Sequence, residues 1–404
     1  MVETDNITEA KVAEATLTDE WITEWEDRIG LNLRVGNVFN QLVSSEAIRN
    51  FGNGIGDDNP IYREMEYAQG TRYGALVASP AWTASVFPHW VLQGLAGIHA
   101  DHSASDWEFL KPIYVNDKIT PKCYFVGFDV KRSRFAGKTV FEYQRFEYWN
   151  QRDELVSRGY NLLVRYERQT AKKKGKYDTI EVPHPWTEEE LEKVDQDVLA
   201  EEVRGADVRY WEDIKVGDVL RSVVKGPFGQ TDMIAYCVGA APVQLAAHGV
   251  QLRVYKKHPA WGFRDPVDHA WEPIYGVHYL NSAARAVGAR YAYDVGVQRH
   301  SWVVNLLTNW MGDEGWLKSC NAEYRHFVYH ADVVWLKGTV TRKYVDEGGE
   351  HCVEIETKGV NQRGEDTIPG VAVVALPSRE TGDMPVAKRL PAEEYRGTGK
   401  GVFF

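Results

Sequence analysis

Cysteine is scarce in this sequence of 404 residues. The four cysteines are dispersed and form no CxxC pair; they are Cys123, Cys237, Cys320 and Cys352. Cysteines spaced in this way do not match the pattern of a disulfide framework or a zinc site, so we expect neither disulfides nor a bound metal. The same usage is typical of proteins in the reducing cytoplasm.

Long apolar segments and basic charge are lacking as well. No apolar run approaches the ~18 residues of a membrane-spanning helix, and the acidic, polar N-terminus does not resemble a secretory signal. The net charge of −11 argues against a nucleic-acid surface. We therefore expect a cytoplasmic protein that has neither nucleic acid nor a membrane as its partner.

Aromatic residues, by contrast, are abundant: the sequence has 14 Trp and 21 Tyr. Their rings could line a large apolar cavity, although packing in a core explains them equally well. The one basic run, at residues 172–174, is either a solvated linker or a contact for a polyanion such as the phosphates of a coenzyme.

The sequence also repeats itself. Trp25-Glu26-Asp27 recurs 186 residues later as Trp211-Glu212-Asp213, and Asn150-Gln151-Arg152 recurs 211 residues later as Asn361-Gln362-Arg363. A period this long indicates two diverged copies of one domain rather than a solenoid. The growing offset places a net insertion in the second copy. Two related copies in one chain usually pack as a pseudo-dimer. We therefore hypothesise that a functional site forms between the two unlike halves.

Composition divides the chain as follows. We predict a mobile tail at residues 1–18, a first copy at 19–167, a linker with an acidic helix at 168–206, a second copy at 207–378 with an insertion at 243–272, and a C-terminal arm at 379–404. The linker helix is predicted near residues 187–202, because Thr187 and Glu190 form a capping-box pattern.

Each copy shows the same order of local patterns. A short helix and a Gly-Pro-rich loop precede a long helical stretch, at residues 79–97 in the first copy and 294–313 in the second. Pro88 should kink or break the first of these helices. Alternating aromatic and β-branched runs follow, with hairpins around Asn150 and Gly364. Because helices and strands segregate, the predicted class is α+β.

Residues 56–62 read GDDNPIY and are followed by Ala68, Tyr73-Gly74 and Ser79-Pro80. This pattern resembles the MaoC-like dehydratases, the (R)-specific enoyl-CoA hydratases, whose signature reads approximately G-D-x-N-P-[LIV]-H. The resemblance implies two tandem hotdog domains, each a long central helix wrapped by an antiparallel sheet. It also implies syn addition or removal of water at the 2,3 position of an acyl-CoA, no cofactor beyond the coenzyme A of the substrate, and a homodimer.

The resemblance assigns roles residue by residue in the first copy. Asp57 falls on the catalytic aspartate, and Asn59 lies in the turn that aims it. Tyr62 stands where the family has its catalytic histidine. A phenol with an ordinary pKa near ~10 is a poor base at neutral pH, although it can donate a hydrogen bond. The first copy is therefore either catalytically altered or inactive.

The second copy departs differently, because Pro242-Val243 aligns with Gly56-Asp57. From the resemblance we infer a composite site, with Asp57, Tyr62, His278, Asp294 and His300 as catalytic residues. The predicted substrate-binding residues are Asn59, Gly74, Tyr275 and Gly296. Each histidine could instead be a satisfied core residue, and Asp294 a helix N-cap. The pair His99 and His102 matches a metal motif only weakly.

The leading functional hypothesis is an acyl-CoA hydratase or dehydratase acting on a bulky enoyl thioester by general acid/base catalysis. Two alternatives stay open: a non-catalytic acyl-CoA-binding protein or hydratase partner subunit, and a thioesterase. The fold alone does not decide among them. The acyl group, the direction of the reaction and the half that is catalytic are left open by the sequence.

Overall fold

The computed structural model describes residues 7–33, 35, 38–87, 95–133, 137–174, 179–241 and 245–385. Ten strands form one antiparallel sheet in the order β1-β3-β4-β5-β2-β9-β12-β11-β10-β6, and β7 pairs with β8 outside it. The strands are β1 Asn32–Leu33, β2 Ile98–Phe109, β3 Thr120–Ser133, β4 Gly137–Trp149, β5 Leu155–Glu167, β6 Val223–Lys225, β7 Gly262–Arg264, β8 Trp271–Pro273, β9 Trp316–Glu323, β10 Val334–Val345, β11 His351–Asn361 and β12 Gly370–Ala375.

The two halves of this sheet have the same topology. When only the strands of this sheet are numbered within each copy, their order from the outer edge to the middle is first, third, fourth, fifth and second. The halves join where residues 104–108 of β2 pair antiparallel with residues 319–323 of β9. The prediction of two tandem copies of one α+β fold is therefore confirmed, and the copies share a single sheet.

Ten α-helices accompany the sheet in the described part of the chain. They are α1 Asp19–Glu26, α2 Ser45–Ile55, α3 Met65–Gly70, α4 Thr83–Val86, α5 Arg168–Lys174, α6 Glu188–Leu199, α7 Gln230–Gly239, α8 His248–Lys257, α9 Asn281–Ala286 and α10 Gly296–Met311. None of these helices combines the length and the apolar character needed to cross a membrane.

The central helix of the second copy is α10. Residues 297–311 are all buried, as expected for a helix wrapped by a sheet. In the first copy, a short 3₁₀ helix at Pro80–Trp82 leads into α4, which ends at Val86 because Phe87 has extended backbone. A residue before proline avoids helical backbone, so the predicted long helix at residues 79–97 is interrupted here. Pro88 and the residues up to 94 lie outside the described residues.

Helices α2 and α7 hold the two copies together at equivalent positions. A Cβ atom at Gly239 of α7 would lie 1.9 Å from the carbonyl oxygen of Asn50, and one at Gly54 of α2 would lie 2.9 Å from that of Ala235. Backbones this close admit only glycine at the contact. The short helix that the sequence predicts near the start of each copy thus packs directly against its counterpart.

The repeated Asn-Gln-Arg motif has the same role in each copy. Asp117 accepts hydrogen bonds from Gln151 Nε2 at 2.8 Å and from Arg152 at 3.0 Å. Asp332 accepts from Gln362 Nε2 at 2.6 Å and from both terminal nitrogens of Arg363, at 2.7 and 2.6 Å. The hairpin turn of each copy is therefore tied to the loop that precedes its third strand.

The connecting segments pack on this framework. Ala10 and Leu17 are buried, and the Leu17 N–H donates to Glu167 at 3.0 Å, so residues 7–18 lie against both copies. The predicted linker helix is confirmed as α6, with Thr187 and Glu190 forming its capping box. The insertion contributes α8 and the β7–β8 hairpin. The outer strands β3 and β10 each carry a bulge, after Phe125 and after Val340.

Candidate active site between the two copies

The turn that carries Asp57 is fixed by its own backbone. Helix α2 ends at Gly56, which adopts the left-handed conformation at φ +68°. The Asp57 N–H then donates to the carbonyl of Gly52 at 2.9 Å, and the Asn59 N–H donates to Asp57 Oδ1 at 3.0 Å. Asn59 in turn caps the 3₁₀ helix Pro60–Tyr62 by accepting the Ile61 N–H at 3.3 Å. The GDDNP motif is thus a rigid turn that sets the direction of one carboxylate.

Asp57 is sealed from solvent with half of its carboxylate unused. The residue is 1% exposed, and its Oδ2 has no hydrogen-bond partner among the described residues. Burial raises the pKa of Asp57 to about 6, against the opposing effects of the Asn59 N–H bond and the Lys225 charge. A carboxyl group with a pKa near neutrality can exchange protons in either direction, as general acid/base chemistry requires.

Tyr62 joins the first copy to the central helix of the second. Its side chain lies close to Thr308, in the last turn of α10, and both residues line the same cavity. Burial and next the charge of Asp57 raise the pKa of Tyr62 well above its ordinary value. The phenol therefore stays neutral and can donate a hydrogen bond, but it cannot serve as a base near pH 7.

A cavity of about 40 Å³ opens beside these residues, with walls from both copies. The first copy contributes Asn59, Tyr62 and Tyr73 together with residues that follow β2 or begin β5. The second copy contributes the end of α10 and the start of β9, including Thr308 and Trp316. Apolar side chains make up most of the wall, among them Val77, Phe109, Ile113, Val156 and Met311. The hypothesis of a site between unlike halves thus has a structural counterpart.

Asp313 also lines this cavity, and our reading of the sequence did not select it. It is 5% exposed, Tyr67 donates a hydrogen bond to its Oδ2 at 2.6 Å, and its Oδ1 has no partner among the described residues. Burial raises the pKa of Asp313. The available signal was the position of Gly312-Asp313 directly after the central helix, although Gly-Asp pairs also occur elsewhere in the chain, for example at Gly217-Asp218.

Asp294 has a structural environment. Its Oδ2 accepts a hydrogen bond from Arg299 Nε at 2.5 Å, and its Oδ1 accepts the Val328 N–H at 3.2 Å. Both side chains of the ion pair are buried. The N-cap of α10 is Val295, so Asp294 is not the cap that the sequence left as an alternative. The carboxylate ties the start of α10 to the strand region beside it.

The two candidate histidines of the second copy bind main-chain carbonyls. His278 Nδ1 lies 3.0 Å from the carbonyl oxygen of Tyr293, and His300 Nε2 lies 3.3 Å from that of Cys320. Burial lowers the pKa of each histidine to about 4, so both are neutral near pH 7. These are the environments of satisfied core histidines.

The structure does not bring the five predicted catalytic residues together. Tyr62 contacts Thr308 near the end of α10, whereas Asp294 precedes its first residue. At 1.5 Å per residue, the 12 steps from Gly296, the first residue of α10, to Thr308 span roughly 18 Å along the helix, and Asp294 lies before them. Asp57 and Tyr62 form one cluster, and His278, Asp294 and His300 lie toward the other end, so the composite of all five is corrected to two separate groups.

Of the predicted substrate-binding residues, Asn59 lines the cavity. Gly74 instead closes a turn at φ +69°, and Tyr275 lies against Cys237 and the His278 ring. Gly296 packs closely on His102, whose carbonyl oxygen would lie 2.9 Å from a Cβ atom there. Gly74, Tyr275 and Gly296 therefore contribute to a turn or to packing and do not line the cavity.

No group of three or more His, Cys, Asp or Glu side chains able to hold a metal occurs within the described ranges. His99 lies 3.3 Å from Asp101 and from the Tyr293 hydroxyl, while His102 lies 3.0 Å from Ser105 Oγ. The two histidines of the weak metal motif therefore have different partners.

Comparisons with known proteins agree with this architecture. Residues 29–158 match the model of a family described as FAS1-like, dehydratase domain region. A UPF0336 protein from Parafrankia sp. (strain EAN1pec) is 28% identical over 129 residues, which make up 30% of this chain and 82% of that protein. The family-model match therefore lies in the first copy, where the GDDNP motif is.

Solved structures extend the likeness to both copies. One named MaoC-like dehydratase covers 87% of this chain and 99% of its own, with a TM-score of 0.59 at 15% identity. A MaoC domain protein dehydratase from Chloroflexus aurantiacus covers 88% and 97%, with a TM-score of 0.51 at 14% identity. The chain thus has the double hotdog fold of the MaoC-like dehydratases, and the resemblance stated from its sequence is confirmed.

Proposed function

We propose that this protein is a hydratase or dehydratase that adds water to, or removes it from, the 2,3 position of an acyl-CoA thioester. The observation that carries the proposal is Asp57: a buried carboxylate on the GDDNP turn, with one oxygen that has no partner among the described residues, two positions before Asn59, which lines the cavity between the copies. The family match over residues 29–158 and the double hotdog fold support the same reaction class.

In the hydration direction, Asp57 accepts a proton from water as the water oxygen bonds to C3 of the enoyl group. The electron pair of the C2–C3 double bond moves toward the thioester carbonyl, and C2 then takes a proton from an acid. At neutral pH most Asp57 is ionised, because its pKa is about 6. Tyr62 stays neutral and holds the wall of the cavity in place through Thr308.

The size of the cavity bears on the acyl group. A volume of about 40 Å³ is small beside the ~150 Å³ of an apolar cavity that admits benzene. We therefore propose a short acyl chain as substrate, in place of the bulky group inferred from the aromatic content. The aromatic residues at the cavity, such as Phe109 and Trp316, narrow it rather than enlarge it.

The test is to incubate the protein with a panel of enoyl-CoA thioesters and to measure hydration as the loss of their ultraviolet absorbance. Short chains should turn over fastest, and Asp57→Asn should abolish turnover while Asp58→Asn, whose side chain is 92% exposed, should not. Release of free thiol would identify a thioesterase instead. Binding without turnover across the panel would favour the non-catalytic alternative, and the predicted homodimer is tested separately by sedimentation.

A further inference from the structure

We propose that Asp313, supplied by the second copy, is the second proton-transfer residue of this site and takes the place of the histidine that the family signature has at position 62. The assignment rests on the proposed hydratase function. Tyr62 cannot exchange protons near neutral pH, so a second group must protonate or deprotonate C2. Asp313 is the carboxylate in the cavity wall of the described residues.

The position of Asp313 is set by its neighbours. Its N–H donates to the carbonyl of Gly205 at 2.9 Å, which anchors the residue just after α10. Gly312 before it has φ +71°, and a Cβ atom there would lie 2.9 Å from the same carbonyl oxygen. The Tyr67 hydroxyl fixes Oδ2 at 2.6 Å. Only Oδ1 is left for another partner, and it belongs to a side chain that lines the cavity.

Each of the two carboxylates has charged neighbours of both signs. Asp313 faces Tyr67 and Arg72 from the first copy and Glu314 from its own loop. Burial raises the pKa of Asp313 most, and the charge of Glu314 raises it further. The Tyr67 hydrogen bond and the charge of Arg72 lower it. Asp57 faces the cations Lys225 and Arg63 as well as Glu201. A cation favours the ionised form and a carboxylate the protonated one. The proposed step uses Asp57 in its ionised form and Asp313 in its protonated form, and burial makes the protonated form of Asp313 more accessible by raising its pKa.

The proton balance of one hydration follows from these states. Asp57 takes one proton from water, and the resulting hydroxyl forms the C3–O bond. The π electron pair becomes an enolate, which forms a C2–H bond with the proton on Asp313. Asp57 is then protonated and Asp313 ionised, and exchange with solvent water restores both. Dehydration runs the same steps in reverse, so no oxidant or metal enters the balance.

The experiment compares Asp313→Asn with Asp207→Asn, a carboxylate on the adjoining loop whose side chain is 78% exposed. In Asp313→Asn, kcat for hydration of 2-butenoyl-CoA by the full-length protein should fall about 100-fold or more. Asp313→Glu should retain part of the wild-type kcat. Asp207→Asn should retain wild-type kcat. Thermal melting of each variant reports whether it is folded.

Tyr67→Phe gives a second readout that does not depend on removing the carboxylate. The Tyr67 hydrogen bond lowers the pKa of Asp313, so its loss should move the alkaline limb of the kcat profile to higher pH. Wild-type kcat in Asp313→Asn, or an alkaline limb unmoved in Tyr67→Phe, overturns the assignment and leaves the hydratase proposal standing. A wild-type protein that hydrates no enoyl thioester overturns both.

Discussion

Lys225 donates a hydrogen bond of 2.6 Å from its ammonium group to the carbonyl oxygen of Gly56, the residue directly before Asp57. Lys225 belongs to β6 of the second copy, and Gly56 ends α2 of the first. A second carboxylate, Glu201, lies 3.8 Å from the same ammonium group. The candidate base of the first copy is therefore positioned and electrostatically biased by the second.

Replacing this lysine should shift the acid limb of the pH profile. Asp57 acts as a base only when ionised, so activity should fall as the pH drops through about 6. The Lys225 charge lowers the pKa of Asp57, and Lys225→Met should move the limb to higher pH by on the order of one unit. The profile of kcat/KM measures the shift. The control is Lys215→Met, which removes an exposed lysine and should leave the acid limb in place. An acid limb that does not move in Lys225→Met would contradict the effect of the Lys225 charge on the pKa of Asp57.

Asp57→Asn should be inactive yet more stable at alkaline pH. Burial raises the pKa of Asp57 in the folded state, so the folded protein disfavours the ionised form. The stability of the wild type relative to the variant is then highest below the unfolded pKa and falls as pH rises through about 6. Above that pH the variant should gain up to about 3 kcal/mol in free energy of unfolding. Urea titrations at acidic and alkaline pH measure the gap, and a gap independent of pH would argue against the buried charge.

Tyr62→His should raise activity. An imidazole titrates near neutrality, so it can exchange a proton where the phenol cannot. We expect kcat to rise about 10-fold or more, which is below the roughly 100-fold or more that a well-placed acid or base supplies, because the histidine enters a site built around tyrosine. Tyr62→Phe should lower activity by loosening the contact with Thr308, while Tyr160→Phe, at an exposed ring, should not. Steady-state hydration kinetics on the four proteins decide the point, and a histidine variant slower than Tyr62→Phe would refute it.

Arg299→Met should unfold the protein more readily without changing its chemistry. The substitution leaves Asp294 buried without its ion-pair partner, which costs about 3–5 kcal/mol. Arg325→Met removes an arginine that is 59% exposed and should cost little. Denaturant unfolding gives the free energies. Below the unfolding transition, kcat of Arg299→Met should match the wild type; a large loss there would return Asp294 to the catalytic residues.

The duplicated aspartates offer a matched pair. Asp332→Asn should destabilise the protein more than Asp117→Asn, because Arg363 binds its aspartate through two nitrogens and is 19% exposed, whereas Arg152 binds through one and is 38% exposed. A difference of about 1–2 kcal/mol is expected, since charged hydrogen bonds are worth this much when buried. Equal unfolding free energies would show that the two turns are energetically alike.

Local patterns in the sequence predict much of the fold. The helix expected at residues 294–313 is found as α10, Gly296–Met311. The repeated Asn-Gln-Arg motifs lie at turns in both copies because their neighbours in the chain form the hairpin. The break in the first central helix was predicted as well, because Pro88 follows Phe87 and a residue before proline avoids helical backbone.

The candidate site is less readable from the sequence. Asp57 was predicted because residues 56–62 resemble a family signature, and the turn it lies on is built locally with Asn59. Asp313 could not be predicted, because its roles depend on Tyr67 and Gly205, which only the tertiary fold brings near. Likewise, the five-residue spacing of Asp294 and Arg299 does not place them on one helix face, and Asp294 stands outside the helix. Their pairing is therefore not a local rule.

The bulges in β3 and β10 have a bearing on how the molecule behaves in a crowded solution. These are the long strands nearest the two ends of the sheet, and β1 and β6 pair with only two and three residues of them. The bulges offset the hydrogen-bonding groups, and Lys131 and Lys337 add positive charge elsewhere on the same two strands. Irregular spacing and charge discourage strand addition by another chain, which protects a ten-stranded sheet from cross-β stacking during synthesis and storage.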